Sequence, residues 1–194
     1  RRQRAFGYTE EDLKLLLAPM ANTGKEPLGS MGNDTPLAAL SKHSRMLFDY
    51  FTQKFAQVTN PPLDWEREKI VTSLESAIGP EPNLLADSEL HAKKILIPLP
   101  VLNSDEMAQL KILGGYYKPF IVKGLYQVAG GGQALKDRLD EIFQEIDEAI
   151  ENGANFLVLS DRDSNYAWGP IPSLLLTSAV QHHLLRRHTR TQIS

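Results

Sequence analysis

The chain has 194 residues, 42% of them hydrophobic, and a formal net charge of -3, the composition of an ordinary globular protein with a sizeable core. This charge balance predicts neither a nucleic-acid nor a membrane partner, and no apolar run reaches the ~20 residues of a membrane span. Because the sequence contains no cysteine, disulfides, thiolate catalysis and iron–sulfur ligation are excluded within it. We expect a cytoplasmic protein.

Residues 1–90 are predicted to be mainly helical, with ordered loops between the helices. Thr9 is the expected N-cap of the first helix and Pro19 its end, while Asp64 is the expected cap of the last one. The predicted helical segments are Thr9–Leu17, a segment from Pro36 that breaks near Ser41–His43, Arg45–Phe55 and Trp65–Ala77.

Residues 91–194 change to alternating strands and helices. The predicted strands are Lys94–Leu99, Phe120–Val122 and Asn155–Ser160, and the predicted helices are Ser104–Leu110, Leu135–Asn152 and Ser173–Arg187. Ser104 is the expected N-cap of its helix, and Gly153 is the expected left-handed residue after the longest one. A strand, a long helix and an apolar strand indicate a βαβ unit with parallel strands. The sequence therefore predicts one α/β domain over residues 1–194, with a helical and loop region followed by an incomplete parallel sheet.

Polar residues follow the last predicted strand at Ser160, Asp161 and Arg162. Ligand sites in α/β sheets form beyond the carboxyl ends of the strands, so these residues are candidates for a polar substrate site. The alternative is a buried ion pair or a loop-capping cluster, in which these residues only brace the loop, and this is the commoner outcome.

Two further patterns are weaker signals. The run Gly130–Gly132 could present backbone N–H groups to a phosphate, but it lacks the spacing of a known phosphate loop, and a flexible connection is the other interpretation. The residues His182, His183 and His188 do not share one helix face, so a metal site is not predicted from them. The sequence also contains no motif that pairs a nucleophile with a base.

A rigid polar turn is predicted at residues 58–62. Pro61 and the proline after it fix their own backbone angles and restrict Asn60 to extended conformations. The hydroxyl of Thr59 and the amide of Asn60 could thus position a small polar molecule, or the turn could only pack the start of a helix.

At these loops the sequence resembles the central domain of the large subunit of glutamate synthase. The matching motifs, which follow one another over essentially the whole chain, are AFGYTEEDL (5–13), APMA (18–21), GSMGNDTPLAALS (29–41), DYFTQKFAQVTNPPLDWERE (49–68), NLL (83–85), LSDR (159–162) and IPSLLLTSAVQHHL (171–184). The histidine run in the last motif and residues 163–168 depart somewhat from the family pattern.

The resemblance implies that this chain is part of a larger oxidoreductase that converts glutamine, 2-oxoglutarate and a reductant to two glutamates. A glutaminase domain would release ammonia, and a tunnel would carry it to a synthase barrel with FMN and a 3Fe–4S cluster. The resemblance assigns no cofactor, catalytic residue or metal to the central domain itself. Both ends of the chain look like boundaries within a longer polypeptide, and the α/β part is expected to be a partial relative of a TIM barrel with an exposed sheet edge.

The resemblance also implies tunnel-lining roles for Met31, Thr59, Asn60 and Pro61. The implied partners are the glutaminase and FMN domains of the same polypeptide, together with a small NAD(P)H-oxidising subunit or ferredoxin. The electron donor is not encoded in these residues. Two alternatives from other classes are a free-standing small-ligand-binding α/β module and a subunit-interaction module.

Overall fold

The structure, a computed structural model, describes residues 3, 6–24, 36–43, 45–51, 55–56 and 62–194. Packing divides the chain into two compact units, Arg1–Gln57 and Val58–Ser194. In the described part of the chain all the strands belong to the second unit. Among the described residues, no helix combines the length and the apolar character that crossing a membrane requires.

The helix predicted from Thr9 is present but does not stop at Pro19. Thr9 and Asp12 cap it reciprocally, since each backbone N–H donates to the other's side-chain oxygen, over 2.8 and 3.0 Å. A π-helical segment, Asp12–Leu17, continues into α1, Ala18–Thr23. The prediction of an end at Pro19 was wrong because the bonding changes from π to α beside that residue, which has no N–H to donate. The helix ends instead at Gly24, whose φ is 64°.

The helices predicted between Pro36 and Phe55 are not observed in the described residues of that segment. A 3-10 turn, Leu47–Tyr50, is the only helical element there among the described residues. The carboxylate of Asp49 accepts a hydrogen bond from the N–H of Met46 over 3.1 Å and closes this turn. This bond has the geometry of a helix N-terminus, but the chain leaves the helical conformation after one turn, since Phe51 is extended with a φ of -112° and a ψ of 120°.

The second unit begins with α2, Trp65–Val71, which Asp64 caps as predicted. The Asp64 carboxylate accepts hydrogen bonds from the N–H groups of two residues in the first turn, over 3.1 and 2.8 Å. The helix is shorter than predicted, because Ser76–Ile78 forms strand β1 and pairs antiparallel with β2, Ile95–Ile97. Pairing with a distant strand has overridden the local helical pattern.

Helix α3 covers Ser104–Lys111, close to its predicted bounds, but its N-cap is Asn103 and not Ser104. The Asn103 side chain accepts hydrogen bonds from the N–H groups of Asp105 and Glu106, both over 2.9 Å. The Glu106 carboxylate in turn accepts from the N–H of Asn103 over 2.7 Å, which completes a capping box.

The predicted βαβ unit is confirmed. Strand β3, Pro119–Lys123, pairs in parallel with β5, Phe156–Ser160, and the long helix α4, Gly131–Glu151, connects them. Gly153 follows α4 with a φ of 87°, as predicted. Helix α5, Ser173–Arg186, completes this part of the fold.

A second, antiparallel ribbon was not predicted. Strand β4, Leu125–Gln127, pairs with β6, Trp168–Pro170. The described strands thus form three two-stranded sheets, which fits the predicted α/β class without forming a barrel among them.

The core of the second unit lies between the β3–β5 pair and the helices α4 and α5. Burying a large aliphatic side chain stabilises a fold by about 1.5–3 kcal/mol, so these residues hold the layers together. The buried residues of this core are Val122, Ile142, Ile146, Ile171, Leu176, Val180, Leu184 and Ile193.

Candidate functional site

The predicted tunnel residues lie outside the described part of the chain; they are Met31, Thr59, Asn60 and Pro61. The next described residue after them is Pro62, which is exposed, and Asp64 caps α2 two residues later. The rigid turn at residues 58–62 therefore stays a prediction, and only its continuation into α2 is described.

Ser160, the first residue of the predicted polar cluster, ends strand β5 and is half-buried. Its carbonyl oxygen accepts a hydrogen bond from the N–H of Gly124 over 2.8 Å, and its hydroxyl accepts from the N–H of Arg162 over 3.3 Å. Both oxygens therefore accept hydrogen bonds from backbone N–H groups, which makes Ser160 part of the turn after the strand.

Asp161 and Arg162 form no ion pair in the part of the chain that the structure describes, although a buried ion pair was one form of the structural alternative; the other form was a loop-capping cluster. The ion pair at this end of the sheet joins Lys123 to Asp163 over 3.6 Å, and both side chains are exposed. Screening by water makes such a pair weak. The bracing of the loop therefore comes from other residues.

Asn165 supplies that bracing. Its side-chain oxygen accepts hydrogen bonds from the N–H groups of Ala167 and Trp168 over 2.9 and 3.1 Å. Its amide N–H donates to the carbonyl of Asp163 over 3.2 Å, and Asp163 itself has a positive φ of 73°. Residues 161–167 are thus a tight turn held by its own side chains.

The ribbon of β4 and β6 continues directly from the carboxyl ends of β3 and β5. Ile171 N–H donates to the carbonyl of Gly124 over 2.9 Å, and Val128 N–H donates to the carbonyl of Ala167 over 2.9 Å. Beyond the strand ends is where α/β proteins place ligands. In this fold the β4–β6 ribbon lies beyond the end of β3, and its backbone groups are hydrogen-bonded to each other.

Arg138, which the sequence did not single out, fastens the end of β3 to α4. It forms ion pairs with Glu141 and Glu145 over 2.9 and 2.6 Å and donates to the carbonyl of Lys123 over 3.1 Å. Burial acts to lower the pKa of Arg138, but its hydrogen bonds to Glu145 and Glu141 and the charges of those carboxylates outweigh it and raise that pKa above its ordinary value. The spacing of three residues between Arg138 and Glu141 on one helix could have predicted their ion pair. Nothing in the sequence could have predicted the bond to β3, because the partner there is a backbone carbonyl.

The glycine run is the beginning of α4 and not a flexible connection. Gly131 is the first helical residue, and its φ of 58° with a ψ of -146° is a conformation that glycine adopts readily. Gly130 precedes it and provides no side-chain cap. The run therefore allows the ribbon to turn sharply into the helix.

The three histidines near the end of α5 have separate environments. His183 donates to Asp147 over 2.9 Å and stacks on Phe143, whereas His182 is exposed. His188 lies beyond the helix with a φ of 57°. Among the described residues, no three His, Cys, Asp or Glu side chains are grouped to hold a metal ion.

Comparison with known proteins identifies the family to which the loop motifs of this sequence belong, which the fold alone does not. The profile of the glutamate synthase central domain matches residues 1–194. The chain belongs to this family. It is 43% identical over 194 residues to the large chain of NADPH glutamate synthase from Bacillus subtilis, covering 100% of this chain and 12% of that one.

Other glutamate synthases match equally well. The NADH enzyme of Schizosaccharomyces pombe is 40% identical over 193 residues, covering 98% of this chain and 9% of that protein. The chloroplastic ferredoxin-dependent enzyme of Spinacia oleracea is 40% identical over 197 residues, covering 100% of this chain and 12% of that protein. The chain thus spans about a tenth of the length of these relatives.

These relatives are glutamate synthases with three different electron donors in their names, yet the identities lie within 40–43%. Sequence identity over the central domain therefore does not distinguish the NADPH, NADH and ferredoxin-dependent relatives from one another.

Proposed function

We propose that this chain is a non-catalytic segment of a glutamate synthase, which joins a glutaminase domain to an FMN-binding synthase barrel and forms part of the ammonia tunnel between them. The observation that carries the proposal is the match of all 194 residues to the central-domain family, although the chain spans only about a tenth of its relatives. The whole enzyme would convert glutamine, 2-oxoglutarate and a reductant to two glutamates.

The polar residues at the strand ends support a structural role for this segment. Ser160 and Asn165 are both engaged with main chain, and the β4–β6 ribbon lies where a ligand would otherwise bind. Asp161 and Arg162 remain near this edge as a polar surface with no assigned role.

The cofactors of the enzyme would be held by other domains. An iron–sulfur cluster requires thiolate ligands, and this sequence has no cysteine. The 3Fe–4S cluster therefore does not fit this segment, the family resemblance assigns FMN to the synthase barrel, and we assign no step of the reaction to this segment. The proposed partners are the neighbouring domains and a small NAD(P)H-oxidising subunit or ferredoxin, in the cytoplasm.

The tunnel role is proposed for Met31, Thr59, Asn60 and Pro61. An ammonia passage requires a wall that excludes bulk water, with few hydrogen-bonding groups held rigidly. The sequence at the turn meets this requirement, because the prolines fix the backbone beside a hydroxyl and an amide. Met31 offers an unbranched, adaptable side chain for the same wall.

The test is Thr59→Trp in the full-length enzyme, with glutaminase turnover and glutamate formation measured together. We expect glutamine hydrolysis to exceed glutamate formed from 2-oxoglutarate, while added ammonia is still used. Thr59→Ser controls for loss of the native residue, and Ser73→Trp controls for bulk at an exposed position. Unchanged coupling in Thr59→Trp would remove the tunnel role.

A further inference from the structure

The edge of β3 that faces away from β5 is paired with no strand in the part of the chain that the structure describes. Lys118 and Gly124, which flank the strand, both bond to the main chain at β5, over 3.2 and 2.8 Å. Successive residues of a parallel strand point their backbone groups to opposite edges. The backbone groups of Pro119, Ile121 and Lys123 therefore face the edge that lies away from β5.

At the carboxyl end of this edge the chain supplies its own arginine. The guanidinium of Arg138 donates to the carbonyl of Lys123 over 3.1 Å and to both carboxylate oxygens of Glu145 over 2.6 and 3.2 Å. One planar fork thus satisfies a backbone acceptor of the strand edge and a carboxylate of α4 together.

A groove of about 300 Å³, the β3–α4 groove, lies at the other end of the same edge. It is lined by the start of β3 and by one side of α4, including Pro119, Phe120, Glu148, Ala149 and Asn152. Helix α3 also packs near β3, but none of its residues lines the groove. The groove therefore places a strand edge beside α4, as at the end that Arg138 occupies.

The polar groups of the β3–α4 groove are mainly hydrogen-bond acceptors. Pro119 turns its carbonyl to this edge and has no N–H, so the groove suits a donor better than a pairing strand. The ion pairs that α4 forms within the described residues use other carboxylates and leave that of Glu148 free. The amide nitrogen of Asn152 donates to a backbone carbonyl over 2.8 Å, which leaves its side-chain oxygen as an acceptor. Lys118 also lines the groove, but its ammonium lies beside Gly153.

We propose that in the full-length enzyme the β3–α4 groove holds an arginine side chain of a neighbouring domain, which bonds to the carbonyl of Pro119 and the carboxylate of Glu148 as Arg138 does at the other end of the edge. The proposal rests on the proposed function in that the chain is part of a longer glutamate synthase. An arginine carries five N–H donors and no acceptor, which matches the groups of the groove. Phe120 and Ala149 give its aliphatic stem an apolar wall.

Charge favours this occupant over a second copy of the chain. Two copies that paired this edge antiparallel would bring their α4 helices side by side. Each α4 carries seven acidic and two basic residues, so the two helices would repel each other. Because the chain spans only 12% of the Bacillus subtilis relative, most of a full-length enzyme lies outside it and can supply the arginine.

The test is photo-cross-linking of the full-length enzyme, with p-benzoylphenylalanine in place of Lys118 at the exposed rim of the groove. We expect a cross-link to a segment of the same polypeptide that contains an arginine, identified by mass spectrometry. Glu148→Lys places an ammonium in the groove and is expected to lower the cross-link yield at least about fivefold, because like charges repel. Glu151→Lys, at an exposed position of α4 that does not line the groove, is the matched control.

A charge exchange tests the pairing itself. Changing the arginine that the cross-link identifies to glutamate, in the Glu148→Lys enzyme, is expected to restore the yield, because the two charges attract again. Mixing isotopically labelled and unlabelled enzyme distinguishes cross-links within one molecule from those between two.

Four outcomes would overturn the proposal. They are the absence of a cross-link, a cross-link between two molecules, a cross-linked segment without arginine, and equal yields in Glu148→Lys and Glu151→Lys. A cross-link between molecules would assign the groove to a second copy. The cross-link yield is independent of coupling in Thr59→Trp, so failure of the tunnel role and failure of the arginine contact are distinguishable.

Discussion

The imidazole Nε2 of His183 lies 2.9 Å from a carboxylate oxygen of Asp147, so that α5 is bonded to α4 through two largely buried side chains. The same carboxylate is 3.3 Å from the guanidinium of Arg187, and the His183 ring stacks on Phe143 with centroids 4.5 Å apart. Shielding from water strengthens such contacts relative to pairs at the surface. This cluster is therefore expected to contribute to the stability of the helix pair.

Removing either partner of this bond should destabilise the fold. We expect His183→Ala and Asp147→Ala each to lower the free energy of unfolding by about 1–3 kcal/mol. Asp147→Ala leaves the largely buried imidazole without its acceptor, and His183→Ala leaves Asp147 with only its ion pair to the exposed Arg187. The double variant should cost less than the sum, with a coupling of about 1 kcal/mol in urea unfolding of the 194-residue chain. His182→Ala, on the exposed face of the same helix, is the control. Additive costs would show that the bond contributes nothing.

The sequence could predict that His182 and His183 point in different directions, but it could not supply the partner of His183. Spacing along α5 separates His182 and His183 by about 100°. Asp147 is 36 residues away on another helix, and nothing local marks it as a partner. The contact exists only because α4 and α5 pack side by side.

Gly124, between β3 and β4, allows α5 to approach the sheet closely. A Cβ atom added there would lie 2.4 Å from Cδ2 of Leu176, a core residue that is 4% exposed. We expect Gly124→Ala to destabilise the chain by about 1–3 kcal/mol, as overpacking does. Gly132→Ala is the matched control, since a Cβ there meets no atom within 4 Å and alanine favours the helix. Equal stability of the two variants would contradict the expected clash.

The long helix α4 and the strands β3 and β5 were predictable because their signals are local. The apolar residues of α4 repeat at the helical period, and β5 is apolar without interruption. The strands β1, β4 and β6 have three residues each and depend on partners that lie 17–45 residues away. Their pairing is a tertiary effect, so the sequence predicted a helix over β1 and did not predict the ribbon.

The candidate site was predicted only in part for the same reason. The position of Ser160 at the end of a strand followed from the βαβ pattern. That its carbonyl bonds to Gly124, and that a ribbon occupies the space beyond, depends on β4 and β6. The tunnel residues were assigned by family resemblance, because a rigid polar turn is compatible with both packing and function.

His188 ends α5 in the left-handed conformation that glycine adopts with least strain. Its φ is 57°, and the N–H groups of His188 and Thr189 donate to the carbonyls of Leu185 and Leu184, as in a Schellman motif. We expect His188→Gly to raise the free energy of unfolding by about 1 kcal/mol. His182→Gly, the same change inside the helix, should lower it by about 1 kcal/mol. Thermal or urea unfolding distinguishes the two, and a loss of stability in His188→Gly would show that its side chain matters.

Lys94 makes the Glu81 carboxyl more acidic. The ammonium of Lys94 donates to Glu81 over 2.6 Å and to the carbonyls of Gly79 and Pro80 over 2.9 and 2.6 Å. The hydrogen bond and then the charge of Lys94 lower the pKa of Glu81 from its ordinary value. Because the pKa is lowered in the folded state, the stabilisation is present above the ordinary pKa of a glutamate and is lost as pH falls through the folded one.

Lys94→Met should therefore return the pKa of Glu81 toward its ordinary value. The measurement is an NMR titration of the Glu81 side-chain carboxyl carbon between neutral and acidic pH. Lys93→Met is the matched control, because Lys93 pairs with Glu89 over 3.9 Å and leaves Glu81 bonded to Lys94. The control should keep the lowered pKa and the loss of stability at acidic pH that follows from it. An identical titration of Glu81 in the native chain and in Lys94→Met would show that Lys94 does not set the acidity of this carboxyl.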